Sequence, residues 1–459
     1  MQAKTIVKAF EAAAGADNVL SEPADLATYA YDAAVLDKVM PAVVVRPTSS
    51  EALGRVVRLC NENRLPLTVR GAGTNLSGGT IPLPGGVVVV TNGLARILEI
   101  NTEDLYARVQ PGVVTAKLAA AVEAHGLFYP PDPASLAEST LGGNAATNAG
   151  GPACVKYGTT KDYILGLEAV LPNGRLIRTG VQTRKGVVGY DLTRLLIGSE
   201  GTLAVITEAT LKLTPLAETR RTLSASYSSI HAAARAVAAI MAQPVTPYAL
   251  EFMDRQALEM VRNFSSIDLP DAIGAMLIIE VDGMNDDIGE ALKRVAAAAD
   301  NDECIELNLA ETPEAVEKLW KTRKSLSPAL RHVAPKKINE DVAVPISSMP
   351  ALIEGLERLS GEHDITIVNF GHAGNGNIHV NLLVNPDDAA EMQRAQSCLA
   401  EVFALVIALK GTLSGEHGVG LEKRDFISME IDPVSLRLMH RIKQQFDPNN
   451  ILNPGIGFP

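Results

Sequence analysis

The chain has 459 residues, with 41 Lys and Arg against 53 Asp and Glu for a formal charge of −12. That length exceeds what one hydrophobic core usually fills, so two or more domains are expected, and the acidic balance disfavours nucleic acid and anionic membrane surfaces as partners. The four cysteines, Cys60, Cys154, Cys304 and Cys398, form no CxxC or CxxH pair, which argues against an iron–sulfur cluster, a zinc ribbon or a disulfide framework.

The opening "MQAKTIVKAFEAAAGADNVL" reads as a short helix without the apolar core and cleavage site of a secretory signal, and "VFALVIAL" is too short to span a membrane. A soluble, cytoplasmic protein with no transmembrane segment is expected, peripheral to the inner membrane only through a partner. From about residue 40 to 215, the runs "AVVVRP", "LPLTVRG", "GVVVVTNG", "YARVQPG" and "LAVITEATLKLTP" read as strands. Between them "TSSEALGRVVRLCNEN" reads as a helix, with Thr48 and Glu51 fitting a capping box. "RGAGTNLSGGT" (70–80) follows a strand, and its glycines allow backbone amides to converge on phosphate oxygens. Gly79 stands where a P-loop requires Lys, and the GxGxxG pattern is absent, so nucleoside-triphosphatase and Rossmann readings fail. A plain tight turn is the alternative. A second small-residue cluster, "STLGGNAATNAGGPACVKYG" (139–158), and then "GSEGTLAVITEATLKLTP" (198–215) would let an extended ligand lie directly against backbone.

Near Glu218 the pattern changes to longer elements: strand "AMLIIEVDG", helix "DIGEALKRVAAAA", helix "EAVEKLWKTRKSLSPALRH", strand "NEDVAVP" and helix "SMPALIEGLERLS". Strands "ITIVNF" and "NIHVNLLV" then flank a Gly/Asn loop, followed by a long helix from about Pro386 to Lys410. The alternation predicts an α+β sandwich, and the Gly/Pro-rich tail is expected to pack back on the first domain. The expected division is 1–217, 218–410 and 411–459. His372 and His379 in "GHAGNGNIHVN" read as ordinary polar residues or as metal ligands. Glu416 in "SGEHGVG" would add a third ligand, and three ligands with open positions suit a catalytic divalent ion.

"RGAGTNLSGG", "YPPDPAS", "LGGNAATNAGG", "KYG" and "IGSEGTLAVIT", in that order, resemble the FAD-binding domain of vanillyl-alcohol-oxidase-type (PCMH-type) flavoproteins. "GHAGNGNIHVN", "SGEHGVG" and "FDPNNILNPG" narrow the resemblance to the D-2-hydroxyacid dehydrogenase branch, which includes bacterial glycolate oxidase, D-lactate dehydrogenase and D-2-hydroxyglutarate dehydrogenase. It implies an α+β fold: an FAD-binding domain, a cap domain for substrate, and a C-terminal segment completing the active site. It assigns Arg70, Gly71, Gly73, Thr74, Asn75 and Gly78 to the FAD pyrophosphate. Pro131, Asp132, Ser135, Gly142, Gly143, Asn144, Thr147, Asn148 and Gly151 would run beside the isoalloxazine and ribityl chain, and Glu200, Gly201 and Ile206 would lie near the adenine half. With no His in 70–80 or 139–158, noncovalent FAD is expected.

The resemblance further implies that His372, His379 and Glu416 bind Zn²⁺ or a similar ion such as Mn²⁺, Fe²⁺ or Co²⁺. His417 would be the base that takes the substrate hydroxyl proton, with the Cα hydrogen leaving as hydride toward flavin N5. Arg323 would face the substrate carboxylate, with Ser327 one helical turn on facing the same side, and Asn381, two residues beyond His379, would hydrogen-bond substrate or water near the metal. Lys321 and Lys324 are left to solvent. Where hydroxyglutarate-type members place a lysine, this chain has Asn339, with Lys336 and Lys337 close by. D-lactate or glycolate is therefore favoured over D-2-hydroxyglutarate. A non-catalytic electron-relay subunit of a glycolate-oxidase-like complex is the other alternative. Electrons are expected to pass to an iron–sulfur subunit, an electron-transfer flavoprotein or a quinone-linked carrier, the chain acting as a homodimer or within a hetero-complex.

Overall fold

Valine runs bounded by proline and glycine build the first sheet: β1 (Val19–Leu20), β2 (Val43–Val45), β3 (Leu67–Arg70) and β4 (Val87–Val90), in the order β1-β2-β4-β3. β2 and β4 are parallel and buried along their whole length, which is why they lack a polar alternation. The computed structural model describes residues 3–34, 36–183, 185–262 and 272–457. It divides into two units, Met1–Gly151 with Gly158–Leu216 and Glu416–Pro459, and Pro152–Tyr157 with Ala217–Gly415.

In the first unit the helix Ser50–Asn63 lays Leu53, Val56, Val57 and Cys60 against this sheet. Its cap is Ser49 rather than Thr48: Ser49 is extended, and its hydroxyl accepts from Ala52 N at 3.1 Å. The cap therefore falls one residue later than the capping-box spacing predicts, and Glu51 sits in the first turn instead of at its end. A second, antiparallel sheet runs β5-β6-β10-β8-β9, made of β5 (Ile97–Asn101), β6 (Tyr106–Val109), β8 (Ile164–Val170), β9 (Leu176–Gly180) and β10 (Val205–Lys212). β7 (Leu127–Phe128) pairs with β11 (Thr214–Pro215).

The tail belongs to this unit. It contains a helix, Pro433–Phe446, that the sequence reading did not single out. Leu67 N donates to Ile451 O at 2.7 Å, Asn453 N donates to Leu67 O at 2.8 Å, and Asn453 Oδ1 accepts from Val69 N at 2.8 Å, so the tail locks onto β3. Lys443 holds it from beneath, donating to Thr202 O (2.8 Å), Leu452 O (2.9 Å) and Asp447 Oδ2 (2.5 Å).

The second unit is a seven-stranded antiparallel sheet: β12 (Thr219–Tyr227), β13 (Ala249–Asp254), β14 (Ala275–Gly283), β15 (Cys304–Ala310), β16 (Lys336–Ala343), β17 (Thr366–His372) and β18 (Asn377–Val384), in the order β15-β12-β14-β13-β17-β18-β16. One face buries Leu223, Ile279, Leu250, Phe252, Val380 and Leu382 together with Asp254 and Asn369. The other carries Met253, Met276, Ile278, Val368 and Phe370, packed with Leu326 and Leu330 of the helix Pro313–Val333. Among the described residues no helix is long and apolar enough to cross a membrane.

Asp447 is fully buried and also accepts from Ile451 N and Leu452 N. Removing its cation in Lys443→Ala leaves a buried charge uncompensated, with an expected loss of roughly 3–5 kcal/mol in unfolding free energy. The urea midpoint measures this, and an unchanged midpoint would show the pair dispensable. In the second unit, burial pushes the Asp254 carboxyl up to about 7, against hydrogen bonds from Ala257 N and from the backbone and side chain of Asn369. Its folded value lies above its unfolded value, so its stabilising contribution is complete below about pH 4 and lost as pH rises through 7. Relative to Asp254→Asn, wild-type stability should fall by up to about 4 kcal/mol between those limits. A pH-independent difference between the two would contradict this.

Candidate active site

In the first unit the glycine-rich segments surround a cavity of about 490 Å³, within the range of cofactor pockets. Gly71, Gly73, Thr74, Asn75, Ser135, Gly142, Gly143, Asn144, Thr147, Glu200, Gly201 and Ile206 line it, as do Glu416 and His417. The glycines are there for space: a Cβ on Gly71 would strike Thr140 Oγ1, and one on Gly142 would strike Pro111. Gly73 is also left-handed, at φ 77°. Asn75 shapes the loop from within, its Oδ1 accepting from Ser77 N (2.9 Å) and Gly79 N (2.7 Å) and its Nδ2 donating to His417 O (3.2 Å). Thr140 Oγ1, also on the lining, is buried without a partner among the described residues, as a wall built for a polar ligand would leave it. No Lys or Arg is among the lining residues, so a diphosphate here would meet amides and hydroxyls.

Other residues expected on this wall stand behind it. Arg70 turns away, donating to Tyr31 O at 2.5 Å and approaching Thr80 Oγ1 at 3.5 Å, and thereby braces the loop. Gly78, at φ 76°, faces Leu36 and Leu421. Asn148 is left-handed and accepts from Thr159 Oγ1 (3.1 Å) and Lys161 N (2.9 Å). Gly151 abuts the backbone of Asp132, and neither that pair nor Pro131 lines the cavity. Glu200 does line it, but its carboxylate accepts from Val419 N and Gly420 N, both at 2.8 Å, fixing the stretch after His417. Asn453, which sequence reasoning did not single out, lines the cavity and donates to Glu200 O at 2.6 Å. Its place in "ILNPG" beyond a helix was the available signal.

In the second unit the turn between β17 and β18 brings His372 and His379 together, with ring centroids 5.2 Å apart and planes at 83°. Both are buried. Gly376, left-handed at φ 66°, permits this turn, since a Cβ there would meet Val344 O. His372 Nδ1 lies 2.5 Å from Glu251 Oε1, and Arg323 Nε donates to Glu251 Oε2 at 2.8 Å. Burial alone would raise the Glu251 carboxyl, but its pairing with His372 and Arg323 outweighs it and holds it below the usual range. Arg323 stacks on Phe370 at 4.7 Å. Ser327 accepts from Lys337 Nζ at 2.6 Å.

Asn381 is tied into the sheet. It is fully buried, its Nδ2 donating to Val368 O and His379 O (both 3.1 Å) and its Oδ1 accepting from Asn339 Nδ2 (2.5 Å), so its amide ties the sheet together. Glu251 escaped the sequence reading, because nothing in "YALEFMD" distinguishes a buried carboxylate from an edge one. At the end of this unit Gly415 N donates to Asp341 O at 2.7 Å, and the chain continues into Glu416.

A cavity walled by glycines, amides and hydroxyls suits a dinucleotide held through backbone contacts. A model described as "FAD binding domain" matches residues 41–180, and one described as "FAD linked oxidases, C-terminal domain" matches residues 216–456. The chain is 42% identical over 441 residues to the glycolate oxidase subunit GlcD of Bacillus subtilis, covering 96% of this chain and 94% of that one. It is 36% identical over 433 residues to the D-lactate dehydrogenase of Anaerostipes hadrus, covering 92% and 90%. In fold it resembles p-cresol methylhydroxylase (TM-score 0.81, 19% identity, 98% and 96% covered) and 4-ethylphenol oxidase from Gulosibacter chungangensis (TM-score 0.80, 19% identity, 99% and 97% covered). The chain belongs to the FAD-linked oxidase family. It is an FAD-dependent oxidoreductase with the PCMH-type α+β fold.

Gly71→Val should yield protein whose flavin absorbance relative to protein falls at least tenfold, with unchanged circular dichroism. Full yellow colour in that variant would remove the loop from the cofactor wall.

Proposed function

We propose that this flavoprotein oxidises a D-2-hydroxyacid, with D-lactate or glycolate favoured, to the 2-oxoacid, and passes the electrons to a separate acceptor protein. The observation that carries the proposal is the buried His372–His379 pair, with Arg323 joined to His372 through Glu251 on the same sheet face. Two imidazoles at this separation, one of them held by a carboxylate, have the donor chemistry of a divalent-ion site. In this reading His372, His379 and Glu416 hold the ion, Zn²⁺ or one of Mn²⁺, Fe²⁺ and Co²⁺. The chemistry supplied by the bound groups is a hydride acceptor at flavin N5 and a Lewis acid at the substrate hydroxyl.

The chain's own residues supply the rest. Arg323 has its Nε engaged by Glu251, which leaves its terminal nitrogens to pair with the planar carboxylate of the substrate. His417, next in the chain to Glu416, is the base that takes the hydroxyl proton. The glycine-walled cavity positions the flavin and excludes water from it. The relatives named as a D-lactate dehydrogenase and as glycolate oxidase subunits support this substrate class, and the word "subunit" in the latter supports a partner chain. An iron–sulfur subunit, an electron-transfer flavoprotein or a quinone-linked carrier would serve, placing a cytoplasmic protein at the inner membrane through that partner.

One observation favours a second substrate, D-2-hydroxyglutarate. Lys337 ends on Ser327, one helical turn from Arg323, and offers a cation for a distal carboxylate. A non-catalytic relay subunit is disfavoured, because it would have no use for the buried histidine pair.

Anaerobic D-lactate or glycolate should bleach the 450 nm region flavin band of the purified holoenzyme, and L-lactate should not. Persistence of the band with D-lactate, glycolate and D-2-hydroxyglutarate alike would refute the proposal.

A further inference from the structure

We infer that Glu251 is a positioning residue that couples the two ends of the substrate site, orienting the metal ligand His372 and the carboxylate-binding Arg323 through a single carboxylate. The inference rests on the reading of His372 as a ligand and of Arg323 as a substrate contact.

Three observations carry it. Glu251 lies opposite His372 in the β13–β17 register, and its two oxygens are divided, Oε1 to His372 Nδ1 (2.5 Å) and Oε2 to Arg323 Nε (2.8 Å). It is only 1% exposed, on a face where its register partner on β14 is Ile278 and its strand neighbour is Met253. A carboxylate in such surroundings is costly, and well-packed apolar residues replace buried ion pairs without loss of stability, so packing alone does not account for it. Finally, Arg323 stacks on Phe370, whose ring centroid lies 5.7 Å from that of His379, so the same contacts that fix the guanidinium also border the second histidine.

The consequence is chemical. An Nδ1–H donated to a carboxylate fixes the tautomer of His372 with its Nε2 lone pair pointing away from Glu251, the form in which imidazole ligates a metal, and a carboxylate partner makes that nitrogen more basic. Because Arg323 draws on the same carboxylate, weakening one partner's orientation weakens the other's. Metal affinity and substrate KM should therefore move together when Glu251 changes, although Glu251 touches neither ion nor substrate.

The test uses holoenzyme stripped of divalent metal by a chelator, with Co²⁺ as probe. Glu251→Gln keeps the shape and removes the charge. It should bind Co²⁺ with a dissociation constant 10- to 100-fold above wild type, in keeping with the usual effect of such outer partners. Its cobalt visible spectrum should be altered, and its KM for D-lactate should be raised about tenfold at saturating Co²⁺, while flavin content is unchanged. His372→Ala serves as the control and should lose Co²⁺ binding. Wild type without Co²⁺ binding, or His372→Ala binding it normally, overturns the underlying metal reading. Binding lost in His372→Ala but identical to wild type in Glu251→Gln, with unaltered spectrum and KM, overturns the positioning role alone. Should Glu251→Gln not fold, the same readings on Glu251→Asp decide the matter.

Discussion

In an antiparallel sheet, every second residue of a strand faces the same side and directly opposed residues share that side. This alternation is the constraint on which the second unit depends. It places Glu251 opposite His372, Phe370 opposite His379, and His379 opposite Asp341, so residues far apart in the chain form one polar band across β13, β17, β18 and β16. A register slip of one residue would send the histidines to the opposite face, that of the buried Val380 and Leu382, and break the pairing with Glu251. The band continues to Glu280, which accepts from Thr222 Oγ1 (3.0 Å) and Trp320 Nε1 (2.9 Å). Each buried carboxylate on this face thus has donors, which is the condition for keeping charge in such a place.

The first unit solves a different problem by removing side chains. A flavin dinucleotide needs close approach to backbone along two phosphates, and glycine is the residue that permits it. The wall stays rigid despite that permissiveness because polar side chains behind it are tied to backbone. Arg70 reaches Tyr31 O, Asn75 collects two amides of its own loop, and Glu200 collects two amides of the tail. The tail in turn is held to β3 through Asn453 and to the body of the unit through Lys443. A segment carrying Glu416 and His417 is thereby immobilised at its C-terminal side by several independent hydrogen bonds.

What the sequence revealed followed from pattern. Valine runs and apolar periodicity identified the α+β class, because strands impose local composition, while the flavoprotein family was reached through the resemblance of the ordered motifs to known members. Roles that depend on distant partners left no such mark. Glu251 is one glutamate among many until β17 is laid beside β13. Lys443 and Asp447 have the i, i+4 spacing of an ordinary surface pair, yet the carboxylate is fully buried. The helix Pro433–Phe446 was hidden between glycine-rich stretches, although Asp432, Pro433 and the spacing beyond them form a proper start, with Asp432 accepting from Val434 N and Ser435 N. Arg70 and Asn148 also hold framework contacts that no local pattern announces, Arg70 to Tyr31 O and Asn148 to Thr159 and Lys161.

Position 339 illustrates how tertiary pairing alters a comparison made by alignment. The sequence resemblance carries the expectation of a lysine at position 339 for a hydroxyglutarate-type substrate, and on that resemblance Asn339 favours a short one. In the structure its amide donates to Asn381, whose own donors reach Val368 O and His379 O. A lysine at 339 would displace that bond and disturb the residue adjoining His379, so the two asparagines behave as one unit of structure. Lys337, two residues earlier on the same face of β16, already reaches Ser327 on the helix that bears Arg323. The hydrogen bond of Lys337 to Ser327 and that of Asn339 to Asn381 thus divide the face of β16 between a cation tied to the helix and an amide tied to the residue adjoining His379.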